Sequence, residues 1–173
     1  MFKTTEEVLA EIERREREFI EFYTQAQQKV TSPVCIKVFE TLAGEHQKHL
    51  ERVEEIKQQT AKGKSWLVDR WIWDVGLGIS NPLTKLSDIF KEHPLCAVEE
   101  IKWLDTAMEK EEDYFNFLDA QVQRAVQPLT KRFYLSLAYE GRGYYLLLLD
   151  TKDCVMHPDH WQHPLEGVFV DGM

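Results

Sequence analysis

Gln27-Gln28-Lys29-Val30-Thr31-Ser32-Pro33-Val34-Cys35 holds a helix end and a helix start with almost nothing between them. Proline has no amide hydrogen to lose, and its fixed φ suits the first helical position. Ser32-Pro33 therefore reads as the N-cap and first residue of a second helix, after a first that runs to about Val30. Upstream, Thr4 with Glu7 three places on has the spacing of a capping box and sets the first helix's start. Downstream, the second helix runs to about Gln58, before the Ala61-Lys62-Gly63-Lys64 break. His93-Pro94 opens a third helix, to about Val126, and Gln127-Pro128 opens a fourth, to about Asp150. Two tight turns make two antiparallel hairpins. A crossover over about 59–93 joins them, and a tail covers about 152–173.

Each helix carries an apolar stripe with steps of three and four residues. The stripes are Leu9, Ile12, Glu16, Phe19, Tyr23, Ala26, Val30, then Cys35, Phe39, Leu42, His46, His49, Val53, Ile56. The third reads Ala97, Ile101, Leu104, Met108, Glu111, Phe115, Leu118, Val122, Ala125, and the fourth Tyr134, Leu137, Gly141, Tyr144, Leu148. The pattern predicts an all-α protein, an antiparallel four-helix bundle of two hairpins with one long crossover, of the ferritin type. The second hairpin also falls under the first without a gap at a shift of 95 residues. Glu16 then meets Glu111, Pro33 meets Pro128, and Leu42-Ala43 meets Leu137-Ala138, which points to an internal repeat.

The remaining composition narrows the function. The chain of 173 residues suits a single domain, 1–173. Acidic residues number 30 against 21 basic ones, for a net charge of −9, so bulk charge attracts neither nucleic acid nor anionic lipid. No apolar run is long enough to span a membrane, and the charged N-terminus has no signal-peptide core, so a cytoplasmic protein is expected. Three scattered cysteines without a CxxC pair exclude a zinc ribbon or a rubredoxin-type iron site. Glycine-rich phosphate loops and a Ser-His-Asp arrangement are not apparent.

Polar residues interrupt the stripes at one height. Glu16 lies 16 residues before the first turn, and His46 and His49 lie 14 and 17 after it. At about 1.5 Å per residue these sit roughly 21–26 Å from the turn, and Glu111 is equivalently placed in the second hairpin. Two buried carboxylates in one layer need protons or a cation. Two histidines three apart share a helix face and can hold one ion together. Two carboxylates and two imidazoles suit iron, manganese or zinc, whereas calcium and magnesium require more oxygen. A neutralised Glu–His hydrogen-bond network with no cofactor is the alternative. Gly141 leaves room opposite the histidines, either for close helix packing with Tyr23 or Tyr144 or for a small pocket beside the layer.

These residues resemble the rubrerythrin branch of the ferritin-like family. There, helices 1 and 3 each bring a glutamate, often with an aromatic seven residues on; Glu16 with Tyr23 matches, and Glu111 is followed by Leu118. Helices 2 and 4 each bring Glu-x-x-His in a Leu-Ala-x-Glu-Glu-x-x-His context. Helix 2 reads Leu42-Ala43-Gly44-Glu45-His46-Gln47-Lys48-His49, with His46 in the place of the ligating glutamate. Helix 4 reads Leu137-Ala138-Tyr139-Glu140-Gly141-Arg142-Gly143-Tyr144, with Gly141 and Tyr144 in place of glutamate and histidine. The tail, Pro158-Asp159-His160-Trp161 and Val170-Asp171-Gly172, is similar to that of small rubrerythrin-like proteins. The resemblance implies a non-haem oxidoreductase acting on peroxide or dioxygen. It would have Glu16, His46, His49 and Glu111 around one iron and Tyr23 or Tyr144 supplying a hydrogen bond or an electron. Glu45 and Glu140 are the reserve ligands should two ions bind. It implies a homodimer and an external electron donor as partners. A metal-free, site-degenerate dimeric scaffold is the competing expectation, and a binder of an apolar ligand beside Gly141 a third.

Two further clusters stand out. Trp66, Trp71, Ile72 and Trp73 in the crossover fit packing on the bundle, a homodimer contact or, with little positive charge to favour it, docking on a membrane surface. Cys154, His157, His160 and His163 fit a surface loop or a secondary metal site.

Overall fold

The computed structural model describes residues 4–62 and 98–157, and within them the chain is entirely helical. The elements are α1 (Thr5–Lys29), α2 (Pro33–Ala61), α3 (Val98–Arg124) and α4 (Pro128–Met156). The Thr4 capping box forms in full: the Glu7 amide donates to Thr4 Oγ1 at 3.2 Å and the Thr4 amide to Glu7 Oε2 at 3.3 Å. Pro33 and Pro128 stand at the first turns of α2 and α4 as expected.

Ser32 departs from expectation. It occupies the N-cap position of α2 but makes no side-chain cap bond, and its buried Oγ has no partner. Glu100, buried on α3, does that work from across the bundle. Its Oε1 accepts from the Ser32 amide at 2.7 Å, from Thr31 Oγ1 at 3.0 Å and from the Thr31 amide. A carboxylate at the N-terminus of α2 is also favoured by the helix dipole. One side chain thus ties the first hairpin's turn to the second hairpin.

α1 packs on α2 and α3 on α4, and the hairpins meet through α1 against α3 and α2 against α4. The cross-hairpin pairs run in opposite directions. Phe22 meets Trp103 while Arg15 lies over Phe117, and His46 meets Tyr144 while Arg52 reaches Glu140. Every neighbouring pair is therefore antiparallel. α2 and α3 run the same way, so the end of α2 and the start of α3 lie at opposite ends of the bundle. The stripes of α1, α2 and α4 are buried as expected. No described helix is long and apolar enough to cross a membrane.

Three details correct the sequence reading. α4 continues past Asp150 to Met156, because Thr151, Cys154 and Val155 extend its buried face. α3 ends two residues early, with Val126 exposed ahead of the extended Gln127 that precedes Pro128. The buried face of α3 is also rotated from the one expected. Glu100, Ala107, Tyr114 and Gln121 point inward beside Leu104, Glu111, Leu118 and Val122, while Ile101, Met108 and Phe115 flank the core. The start at His93-Pro94, the crossover tryptophans, His160 and His163 lie outside the described residues.

Candidate metal centre

The helix lengths fixed by the two turns bring Glu16, His46, His49 and Glu111 to one height, and all four are buried. The His46 ring lies between the two carboxylates. Its Nδ1 is 2.7 Å from Glu16 Oε2 and its Nε2 is 3.0 Å from Glu111 Oε1. His49, one turn along α2, places Nδ1 3.4 Å from Glu16 Oε1 and bonds through Nε2 to Glu140 Oε2. Arg52, a turn further, reaches the same Glu140 oxygen at 3.4 Å.

Two tyrosines complete the layer reciprocally. Tyr23 of α1 donates to Glu111 Oε1 of α3 at 2.7 Å, and Tyr114 of α3 donates to Glu16 Oε1 of α1 at 2.6 Å. Tyr144 places its hydroxyl 3.3 Å from His49 Nε2. A continuous chain results: Tyr114, Glu16, His46, Glu111, Tyr23. Phe19 covers it, stacked flat on His46 with ring centroids 4.2 Å apart and an interplanar angle of 6°.

The electrostatics follow from this packing. Burial drives the Glu16 carboxyl up, but the charges and hydrogen bonds of His49 and His46 outweigh it and hold the group at about 2. Burial drives His46 down, yet Glu111 and Glu16 lift it to about 10. His49 is raised to about 9 against its own burial by Glu16 and Glu140. Burial drives Glu140 up, but the hydrogen bond and charge of His49 together with the charge of Arg52 outweigh it and hold the group below the ordinary carboxylate range. Tyr23 and Tyr114 are pushed well above 10, first by burial and then by the carboxylate each one faces, so both remain hydrogen-bond donors. Three carboxylates thus face two imidazoliums and Arg52, and charge balances through protons.

Within this network some ligand capacity is unused. One ligand atom each from Glu16, His46 and His49 lies within 4.8 Å of the others, and all three residues are buried. His49 Nδ1 and Glu111 Oε2 are buried without a hydrogen-bond partner. Such orphaned atoms cost about 1–3 kcal/mol each unless something meets them. The donor set, two imidazole nitrogens and carboxylate oxygen, matches iron, manganese or zinc.

A Cβ at Gly141 would meet Glu111 Oε2 at 3.5 Å, an ordinary contact, so it is the Glu111 carboxylate that faces the gap the glycine leaves. The two cavities that stand out lie elsewhere. One, of about 410 Å³, is at the end of the bundle around Thr4, Leu9, Gln121 and Tyr134; the other, of about 190 Å³, is beside Arg14, Lys110 and Asp113. Cys154 is buried in the core while His157, past the helix, is exposed, so these two do not share a site.

Glu140, Tyr114 and Arg52 belong to the layer although the stripe pattern left them out of it. Under the 95-residue shift Glu140 pairs with Glu45 and Tyr114 with Phe19, a signal that marks both positions but not their contacts. No protein-family model, curated protein or solved structure matches this chain.

Proposed function

We propose that this chain is a ferritin-like protein of rubrerythrin type. In this reading it binds a single metal ion, iron, through Glu16, His46 and His49, with Glu111 closing the set. It acts as a non-haem oxidoreductase on peroxide or dioxygen. The observation that carries the reading is the convergence of the three buried ligand atoms beside Glu111 Oε2, which is buried without a hydrogen-bond partner. Iron held there would supply redox chemistry at a site shielded from water. The chain's own residues hold and orient protons. Tyr114 and Tyr23 donate theirs to Glu16 Oε1 and Glu111 Oε1, the His46 ring nitrogen that does not ligate keeps its proton toward the carboxylate it faces, and Phe19 excludes water from one side. Reduction of peroxide to water consumes two electrons and two protons, so turnover draws on an external electron donor.

A second reading has its own support. Both ring nitrogens of His46 already meet carboxylates, at 2.7 and 3.0 Å, and charge balances without a metal. The layer would then be a proton-filled core in a metal-free scaffold. Metal content by mass spectrometry, after anaerobic Fe(II) loading and desalting, separates the two. Near one iron per chain, abolished in His49→Ala, supports the first reading and justifies peroxide and oxygen assays. No stoichiometric metal, with a melting temperature indifferent to chelator, establishes the second.

A further inference from the structure

An apolar face lies on the outside of the bundle. Five large apolar side chains are exposed among the described residues, and four of them, Tyr139, Leu146, Leu149 and Met156, sit on α4. At helical spacing they line the side turned away from the buried Tyr144 and Leu148. A solvated helix normally carries charge there, as α1 does with its Arg14, Glu18 and Arg17 ion pairs. One turn before Leu146, Gly143 has nothing within 4 Å of where a Cβ would stand, which leaves a notch in the face.

Charge is divided along this face. Arg132 and Arg142 lie toward its N-terminal half, Asp150 and Asp153 toward its C-terminal half. Burial, and then repulsion from Asp153, hold the Asp150 carboxyl above its ordinary range. Neither aspartate forms an ion pair with another described residue. The Arg142 guanidinium lies over the Tyr145 ring at 4.6 Å and the Phe115 ring at 6.0 Å, with no carboxylate beside it among the described residues. A face with an apolar middle, a cationic start and an anionic end is complementary to itself turned end for end. That is the condition for a two-fold, isologous contact.

We propose that α4 is the contact face of a homodimer, two copies packing their fourth helices antiparallel about Leu146 so that Arg142 of each meets the partner's Asp150 and Asp153. From Arg132 to Met156 the face runs about 36 Å. Its exposed apolar residues form the centre, as in homodimer interfaces generally, and the charges form the rim that fixes direction. The contact is independent of whether the layer holds metal.

Light scattering on the full chain tests it. The wild type has twice the 20.4 kDa mass of one chain. Leu146→Glu places a charge at the centre of the contact, on a side chain already 46% exposed, so the fold tolerates it. Its helical circular dichroism is unchanged while dimer dissociation rises about tenfold or more. Arg142→Asp also weakens the dimer, and adding Asp150→Arg with Asp153→Arg restores it. Neither a folding defect nor an interface elsewhere gives that rescue. A wild type that is monomeric at about 100 μM overturns the proposal. So does a dimer indifferent to Leu146→Glu, or a charge swap that fails to rescue.

Discussion

Binding of a divalent ion to the layer releases protons, so its affinity rises steeply with pH. The carboxylates around His46 and His49 keep both imidazoles protonated at neutral pH, raised to about 10 and about 9. A ring nitrogen cannot hold a proton and a metal together. An ion taking Glu16, His46 and His49 therefore displaces one proton from each ring. Each released proton changes affinity tenfold per pH unit, about 1.4 kcal/mol. Between pH 7 and 8 the dissociation constant falls roughly a hundredfold if both imidazoles ligate and roughly tenfold if only one does. Calorimetric titration with Zn(II) or anaerobic Fe(II), in buffers of different ionisation enthalpy, counts the protons directly. His49→Ala should abolish the binding and, with it, the proton release. Affinity that is flat across this range, with no proton released, refutes the reasoning. It would mean either that the imidazoles are neutral beside the carboxylates or that the ion binds elsewhere.

Without metal the same groups set a different pH profile. Glu16 is at about 2 in the folded chain against an ordinary 4.5, so its stabilisation is complete above 4.5 and is lost as pH falls toward 2. His46 is at about 10 against 6.5, so its stabilisation is complete below 6.5 and is lost as pH rises through 10. Urea midpoints of chelator-treated protein should therefore peak between about 4.5 and 6.5, and a curve still rising above pH 7 would contradict this. Glu100→Ala strips three donors of the α1–α2 turn of their acceptor and should cost about 3 kcal/mol or more in denaturant unfolding. A loss within about 0.5 kcal/mol would show that water replaces it. Gly44→Ala, with open space around the new Cβ, should gain about 0.5–1 kcal/mol. Gly141→Ala should gain less, because its methyl group, at an ordinary 3.5 Å contact, sets an apolar atom against the unpartnered Glu111 Oε2. Equal gains at both sites would show that this oxygen makes no demand on the space.

What the sequence made legible is what depends on backbone register. The Thr4–Glu7 box, Pro33 and Pro128 fix where helices begin, and once those are fixed, counting residues fixes height. That arithmetic is enough to set Glu16, His46, His49 and Glu111 in one buried layer. It cannot resolve one residue's rotation about a helix axis when apolar residues lie on both sides. α3 offers Phe115 and Tyr114 side by side, and the stripe favours the more apolar of them. The structure buries Tyr114, because its hydroxyl finds Glu16 at 2.6 Å while Phe115 packs at the margin. Glu140, named from the sequence only as a reserve ligand, was missed as the partner of His49 for a related reason. It precedes Gly141 on the flank of α4 and reaches the layer through its side chain, toward a histidine that needs a counter-charge. Glu100 is the extreme case: its partners are 68 and 69 residues away at a turn whose own serine looked sufficient. In each instance the deciding term is a buried hydrogen bond between helices. Such bonds leave no periodic trace, because a single polar residue satisfies them wherever its reach allows. The apolar period therefore locates the layer, while the polar partners it omits determine whether protons alone or protons and a metal balance its charge.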